Sequence, residues 1–311
     1  MKLIRRLFQK LIYEVIFAFV RLVSLIPFHT CQWIGRMLAR IFIHVPINRT
    51  KISLDNLRNA FGDNMTEDEI KELNRKVVMH FGQMLLEMPH ILRLNRFNMD
   101  RYLTWENEEA LLGAIKRKKG AFVVTAHFGN WELMSAAINF YLLPNQAVVA
   151  RAIDFIPLDS VINALRSRFG AMVINKQRGI RRIMTAIKKN KGIGILLDQN
   201  VDWYEGVFVP FLGRQACVNK GLALMALKME TPVIPAFPVR QPDGRYRIIF
   251  EKEVELIRTG DKTRDVEENT ALFTGIIERY IKQYPEQWFW FHRRWKTLFS
   301  CELPKDFYSG K

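Results

Sequence analysis

A histidine and a glutamate five positions apart, His127 and Glu132, are the residues of this 311-residue chain whose types and spacing point most directly to proton transfer. An imidazole that takes a proton from a hydroxyl needs a second group to orient it and to stabilise the imidazolium that forms. Along one continuous helix the two side chains would lie about 140° apart. They meet only if His127 sits in a turn and Glu132 in the first turn of the helix that follows. The surrounding residues 121–134, AFVVTAHFGNWELM, predict that arrangement: a buried strand, a turn at Gly129 and a helix opening with Trp131 and Glu132. A carboxylate at a helix start is favoured by the positive end of the dipole. The expectation is a general base, His127, with an orienting acid, Glu132; the same residues also describe a half-buried histidine beside an ordinary helix-start acid.

The elements that must hold this pair form an α/β alternation. Strands are expected at residues 121–126, 147–150, 172–175, 193–198, 233–237 and 246–251, with helices between them. Ligands of such sheets bind outside the carboxyl ends of the strands. Asp198 and Gln199 close the fourth expected strand, so Asp198 faces the cleft of His127 if the two strands are parallel neighbours. No glycine-rich phosphate loop follows the first strand, which argues against nucleotide binding. Arg151, Arg166 and Arg168 follow the second strand; their guanidinium forks suit a phosphate or carboxylate, and a solvated helix face is the competing reading.

Upstream, Thr66 and Glu69 form a capping box for a helix running towards residue 94 with a bend at Pro89, and a second helix is expected near residues 106–119. His80 and His90 on the first of these are expected to be structural. Downstream, residues 206–213, GVFVPFLG, are apolar between turns and read either as the wall of a pocket for an apolar chain or a lipid-dipping loop, or as core. Pro232, Pro235 and Pro238 argue against a regular central strand throughout 231–240.

A net charge of +16 implies acidic partners: nucleic acid, anionic phospholipid, a phosphorylated substrate or an acidic carrier protein. Nucleic acid is disfavoured, since no zinc-finger, helix-turn-helix or RNP-like signature accompanies the charge. The hydrophobic content of 49% is ample for a large core. Cys31, Cys217 and Cys301 are scattered and odd in number, which fits a reducing compartment and supports neither a disulfide framework nor a zinc site; no metal or cofactor is expected. The basic helix at 179–191 suits an acidic carrier protein, a bilayer surface or plain solvent.

The amino-terminal segment is amphipathic. Ile4, Leu7, Leu11, Val15, Phe19 and Leu22 share one face, and Lys2, Arg6, Gln9, Tyr13 and Glu14 lie towards the other. Only six residues between Glu14 and Arg21 are free of charge, against roughly 20 needed to span hydrocarbon. An interfacial helix is favoured over a tilted span or a buried core helix. A second amphipathic helix follows over 31–45, ended by Pro46.

The His-x4-Glu order between a strand and a helix resembles the HX4D/E motif of glycerolipid-type acyltransferases. More closely, the chain resembles the late acyltransferases of lipid A biosynthesis, the lauroyl and myristoyl transferase family. The resemblance runs through Asn56 and Leu57 in KISLDNLRNAF, LLDQ at 196–199, TPVIPAFPVR at 231–240 and PEQWFWFHRRWKT at 285–297. Three tryptophans and four basic or imidazole side chains in the last block suit a membrane interface.

The resemblance implies an α/β fold with a glycerolipid-acyltransferase-like mixed sheet flanked by helices and an amino-terminal membrane-associated helical region. The implied divisions are membrane-anchoring helices at 1–50, a helical annex at 51–120 and a catalytic core at 121–311. It further implies transfer of a fatty acyl group from acyl carrier protein, or from acyl-CoA, to a hydroxyl of a Kdo-modified lipid A precursor. That anionic glycolipid would be met at the cytoplasmic face of a bacterial inner membrane. His127 and Glu132 are the implied catalytic pair. Arg151, Arg166, Arg168, Asp198, Gln199, Arg293 and Arg294 are the substrate-binding candidates, with the second-motif arginine open among the first three. Three alternatives stay open: another lipid acyltransferase, a thioesterase on the same fold, or a basic membrane or nucleic-acid binding protein.

Overall fold

The computed structural model describes residues 2–43, 48–177 and 179–298. Pro46, expected to end the second helix, and Cys301 lie outside them. The helices are α1 (Lys2–Leu25), α2 (Phe28–Phe42), α3 (Asn48–Phe61), α4 (Glu67–Glu87), α5 (Glu109–Lys116), α6 (Trp131–Ala137), α7 (Ile156–Ser167), α8 (Ile180–Lys188), α9 (Gly221–Met229) and α10 (Lys262–Gln283). The strands are β1 (Leu103–Glu106), β2 (Ala121–Thr125), β3 (Ala147–Ala150), β4 (Met172–Asn175), β5 (Gly192–Leu196), β6 (Gly206–Phe211), β7 (Arg214–Asn219), β8 (Val233–Arg240) and β9 (Tyr246–Phe250). Seven strands form a mixed sheet in the order β1-β9-β8-β2-β5-β3-β4, and β6 and β7 form a separate hairpin. All neighbours in the large sheet are parallel except β8 and β9.

The apolar run of β2 is buried on both faces, as a central parallel strand requires. Its alternate residues enter different cores. Phe122 and Val124 join a cluster with Val77 and Phe81 of α4, Ile183 of α8, Ala223 of α9 and Phe273 of α10. Ala121 and Val123 join a second cluster with Leu111 of α5, Leu133 of α6 and Leu165 of α7. The sheet is therefore sandwiched between two helical layers, and its carboxyl edge is left for loops.

All six expected strands form. The capping box at Thr66 and Glu69 is present, and α4 stops at Glu87, where Pro89 opens a 3-10 turn, Met88–Arg93. The second expected helix is shorter, Glu109–Lys116, and Glu106 instead ends β1, which pairs with β9 at the sheet edge. Residues 233–240 form one interior strand, β8, longer than expected, but it is not laddered regularly on both sides throughout. β8 pairs with β2 only over Val233–Pro235 and with β9 only over Ala236–Arg240. Pro235 sits where the strand changes partner, and its carbonyl accepts from Glu251 N–H. The 206–213 stretch is strand β6 with its turn, and Val209, Phe211 and Leu212 are core.

In α1 the face expected to be apolar points outward: Ile4, Leu7, Leu11, Val15, Phe19 and Leu22 are each 59–72% exposed. That excludes a buried core helix. Its other side lies along α7 and the 3-10 turn. Among the described residues no single helix is long and apolar enough to cross a membrane; α1 and α2 reach that length and apolarity only together, and they are bent by 118°.

Candidate active site

Because β2 and β5 are parallel neighbours with Thr125 opposite Leu196, residues two beyond each strand emerge side by side. These are His127 and Asp198. His127 Nδ1 lies 2.8 Å from Asp198 Oδ1, and the His127 backbone N–H donates to Asp198 Oδ2 at 3.0 Å. The indole Nε1 of Trp288 donates to the same oxygen at 2.7 Å. With its Nδ1 proton directed at Asp198, the neutral imidazole keeps a lone pair on Nε2. Gln199 Nε2 stands 3.4 Å from that nitrogen. The Asp198 side chain is only 2% exposed and that of His127 23%, so the acid is dry while the base is reachable. Burial by itself would raise the Asp198 carboxyl, but the charge of His127 and the hydrogen bonds from His127 and Trp288 outweigh it and bring the pKa down to about 2.

The orienting contact expected of Glu132 thus belongs to Asp198. Asn130 caps α6 by accepting the Leu133 N–H, which makes Glu132 the second residue of the helix. Its carboxylate turns to α7, where it accepts from Arg166 Nε at 2.9 Å and Nη2 at 2.5 Å. A carboxylate held by a guanidinium fork has its strongest partner already. Burial would lower the Arg166 pKa, and the bonds to Glu132 more than offset it. Glu132 reaches the base indirectly: it accepts from Trp131 Nε1 at 3.1 Å, and the Trp131 ring stands edge-on to the imidazole at 5.0 Å.

The turn between strand and helix is fixed from three sides. Gly129 has φ of +53°, and a Cβ there would overlap the Pro238 carbonyl oxygen, so glycine is required twice over. The carboxyl-terminal segment pairs with the turn: Gly129 N–H donates to Gln287 O at 2.8 Å, and Phe289 N–H donates to His127 O at 2.9 Å. Beneath it, Asn130 Nδ2 donates to Glu87 at 3.2 Å. Glu87 is fully buried and also accepts from Gln32, Arg240 and Tyr246. His80 lies in the same layer, with Nε2 3.5 Å from Gly129 O. Burial, then Arg240, pushes its pKa well down, so it is a neutral prop. His90 bonds the Ile26 carbonyl at 2.9 Å and is likewise structural.

Of the residues singled out in the sequence, His127, Asp198 and Gln199 come together, and Glu132 pairs with Arg166 beside them. Arg151 is 74% exposed and has a long contact, 3.9 Å, to Asp154. Arg168 caps the carboxyl end of α7 and lines a separate surface groove. Arg293 is exposed. Arg294 is fully buried, donates to Cys217 O at 3.1 Å and stacks on Phe211, and burial brings its pKa down to about 10, so it is a core residue and not a substrate contact.

The membrane-interface reading of the carboxyl-terminal tryptophans also changes. Trp288 and Trp290 are buried, because Asn56 of α3 donates to Trp290 O and His292 O at 2.7 and 2.6 Å and draws that segment inward. Sequence reasoning missed Trp288 as the partner of Asp198. It also missed the aromatic wall beside the base, Phe81, Trp131, Phe289 and Phe291. The dense aromatic run at 288–291 was the available signal.

A reachable histidine bonded to a buried aspartate at adjacent strand ends of a mixed α/β sheet is an arrangement that can present an imidazole as a general base. The sequence model of the family described as bacterial lipid A biosynthesis acyltransferase matches residues 3–297. The chain belongs to that family and is an acyltransferase. It is 25% identical over 278 residues to a lipid A biosynthesis lauroyltransferase of Escherichia coli (strain K12), covering 89% of this chain and 88% of that one. It is 25% identical over 270 residues to a lipid A biosynthesis palmitoleoyltransferase of the same organism, covering 85% and 83%. A lipid A biosynthesis acyltransferase of Haemophilus influenzae is 29% identical over 126 residues, 40% of this chain and 38% of that one.

Proposed function

We propose that the protein transfers a fatty acyl group from an acyl carrier protein thioester to a hydroxyl of a Kdo-modified lipid A precursor, with His127 as the general base and Asp198 as the acid that orients it. His127 Nε2 takes the hydroxyl proton as the acceptor oxygen attacks the thioester carbonyl. The tetrahedral adduct collapses by breaking the carbon–sulfur bond. The thiolate then takes the proton back from the imidazolium, leaving an ester and a free thiol. The buried, ionised Asp198 holds the imidazole with Nε2 outward and stabilises its charged form. Gln199, beside Nε2, offers a side-chain N–H to the developing oxyanion. Glu132 is a positioning residue: with Arg166 it fixes Trp131 against the imidazole.

The observation that carries this reading is the 2.8 Å His127–Asp198 bond at the mouth of two parallel strands, on a chain whose relatives are lipid A acyltransferases. The outward apolar face of α1 supports work at a bilayer surface, as an interfacial helix on the cytoplasmic side of an inner membrane. The excess of Arg and Lys suits both an acidic carrier and a phosphorylated acceptor. The test is to incubate the purified protein with acyl carrier thioesters and lipid A precursors and weigh the products. An added acyl group that requires His127 is expected; thioester hydrolysis without acceptor would assign a thioesterase instead.

A further inference from the structure

Away from His127, a groove of about 590 Å³ opens between α1, the 3-10 turn and the end of α7. That volume falls within the roughly 300–1,000 Å³ of ordinary small-molecule sites. Phe17, Leu22, Leu25 and Leu92 make its floor apolar, and Arg21, Arg93 and Arg168 stand at its rim. All three arginines are exposed, and among the described residues none is paired with a carboxylate. Two are held in place by aromatic rings: Arg21 lies 4.7 Å over Phe17 and Arg168 5.4 Å over Phe169. Both α1 and α7 end here. Their carbonyl dipoles, worth roughly half a charge each, offset about one of the three positive charges. The rest is uncompensated.

Arg166 and Arg168 are two apart, about 200° around α7. One is committed to Glu132 in the interior and the other to the groove, so the groove is distinct from the catalytic cluster. Leu22 and Leu25, 65% and 63% exposed, continue the outward apolar face of α1 into it.

We propose that this groove binds one anionic glycerophospholipid of the bilayer, its phosphate on Arg21, Arg93 and Arg168 and its acyl chains against Phe17, Leu22, Leu25 and Leu92. Arginine forks bind phosphate oxygens in pairs, and the apolar floor takes the chain ends that a free phosphate lacks. The site rests on the placement of α1 at a bilayer and is independent of acyl transfer. The lipid ties α1 to α7, the helix that holds Glu132 through Arg166.

The test uses the full-length His127→Ala protein, titrated in detergent-free buffer with dioctanoyl phosphatidylglycerol below its micelle concentration, with dioctanoyl phosphatidylcholine and glycerol 3-phosphate as comparators. The anionic lipid should bind at least tenfold more tightly than either. Each of Arg21→Ser, Arg93→Ser and Arg168→Ser should weaken it by about fivefold, the usual weight of one basic residue facing anionic lipid. Leu22→Ser with Leu25→Ser should weaken it without changing the salt dependence. A control set on α8, Arg181→Ser with Arg182→Ser, should leave it unchanged. Equal binding of phosphatidylcholine or of glycerol 3-phosphate would overturn the proposal, as would full affinity in the triple arginine variant with an unchanged melting temperature. Loss of acyl transfer plays no part in the readout.

Discussion

At the carboxyl edge of the sheet, Asp198 is buried and shared among His127 and Trp288, and Glu87 is buried among Gln32, Asn130, Arg240 and Tyr246. Along α1, in contrast, a row of large apolar side chains faces outward, and among the described residues Arg21, Arg93 and Arg168 have no acid paired with them. In the first region each buried acid is matched by the donors around it. The second is complete only when something apolar and anionic is added from outside. A catalytic group must be held before substrate arrives, whereas a docking face is kept open for its partner.

The sharpest way to break this contrast is at the base. His127→Ala is expected to lower acyl transfer by about 10²–10⁴-fold, the usual worth of a general base, with the fold and vesicle binding intact; product formation by mass spectrometry checks it. Next comes the layer beneath. Glu87→Ala strands Arg240 in the interior, and loss of one partner from a buried pair costs about 3–5 kcal/mol. A fall in denaturation midpoint together with a slower rate is expected, whereas a variant as stable as the parent would show that the turn is held without Glu87.

The open region should respond in the opposite way. Leu7→Ser with Val15→Ser should weaken partition onto anionic vesicles by tenfold or more, since each removes exposed apolar area from the bilayer contact. Melting temperature in solution should not fall. A smaller effect concerns pH. Burial holds His292 neutral down to about 4, against an ordinary value of 6.5. The unfolded chain therefore takes that proton first, and stability declines as pH drops from about 6.5 to about 4, by up to about 3 kcal/mol, and is level above that window. Asp198, with its pKa brought down to about 2 from 3.8, contributes stability that is present above about 3.8 and lost only below it, so the two windows separate. His292→Gln should make the upper one shallower in a pH series of melting curves; what is left belongs to His80 and His90, whose pKa values burial also lowers.

Much of this was legible in the residues. Gly129 between an apolar run and Trp131 announced the strand, turn and helix, because its backbone shape and its contact with Pro238 admit nothing larger. The outward face of α1 followed from spacing and charge alone. Local pattern could not show which acid turns to the imidazole. Glu132 is near in sequence but is drawn off by Arg166, while Asp198 arrives from 71 residues away through the register of β2 with β5. The tryptophans misled for the same reason. Aromatic and basic residues in one run fit a bilayer surface, yet Asn56, 234 residues from Trp290, folds that run into the core. β8 likewise tolerates Pro235 only because it changes partner there, which no single-strand pattern reveals.

The most direct test of the His127–Asp198 assignment is the acyl-transfer rate of Asp198→Asn, of His127→Ala and of the two combined, on proteins with matched melting temperatures. Residues that act as a unit lose activity together. Asp198→Asn should fall by about a hundredfold or more, and the combined variant should be no slower than His127→Ala alone. A near-parental rate in Asp198→Asn, or losses that simply multiply, would contradict it.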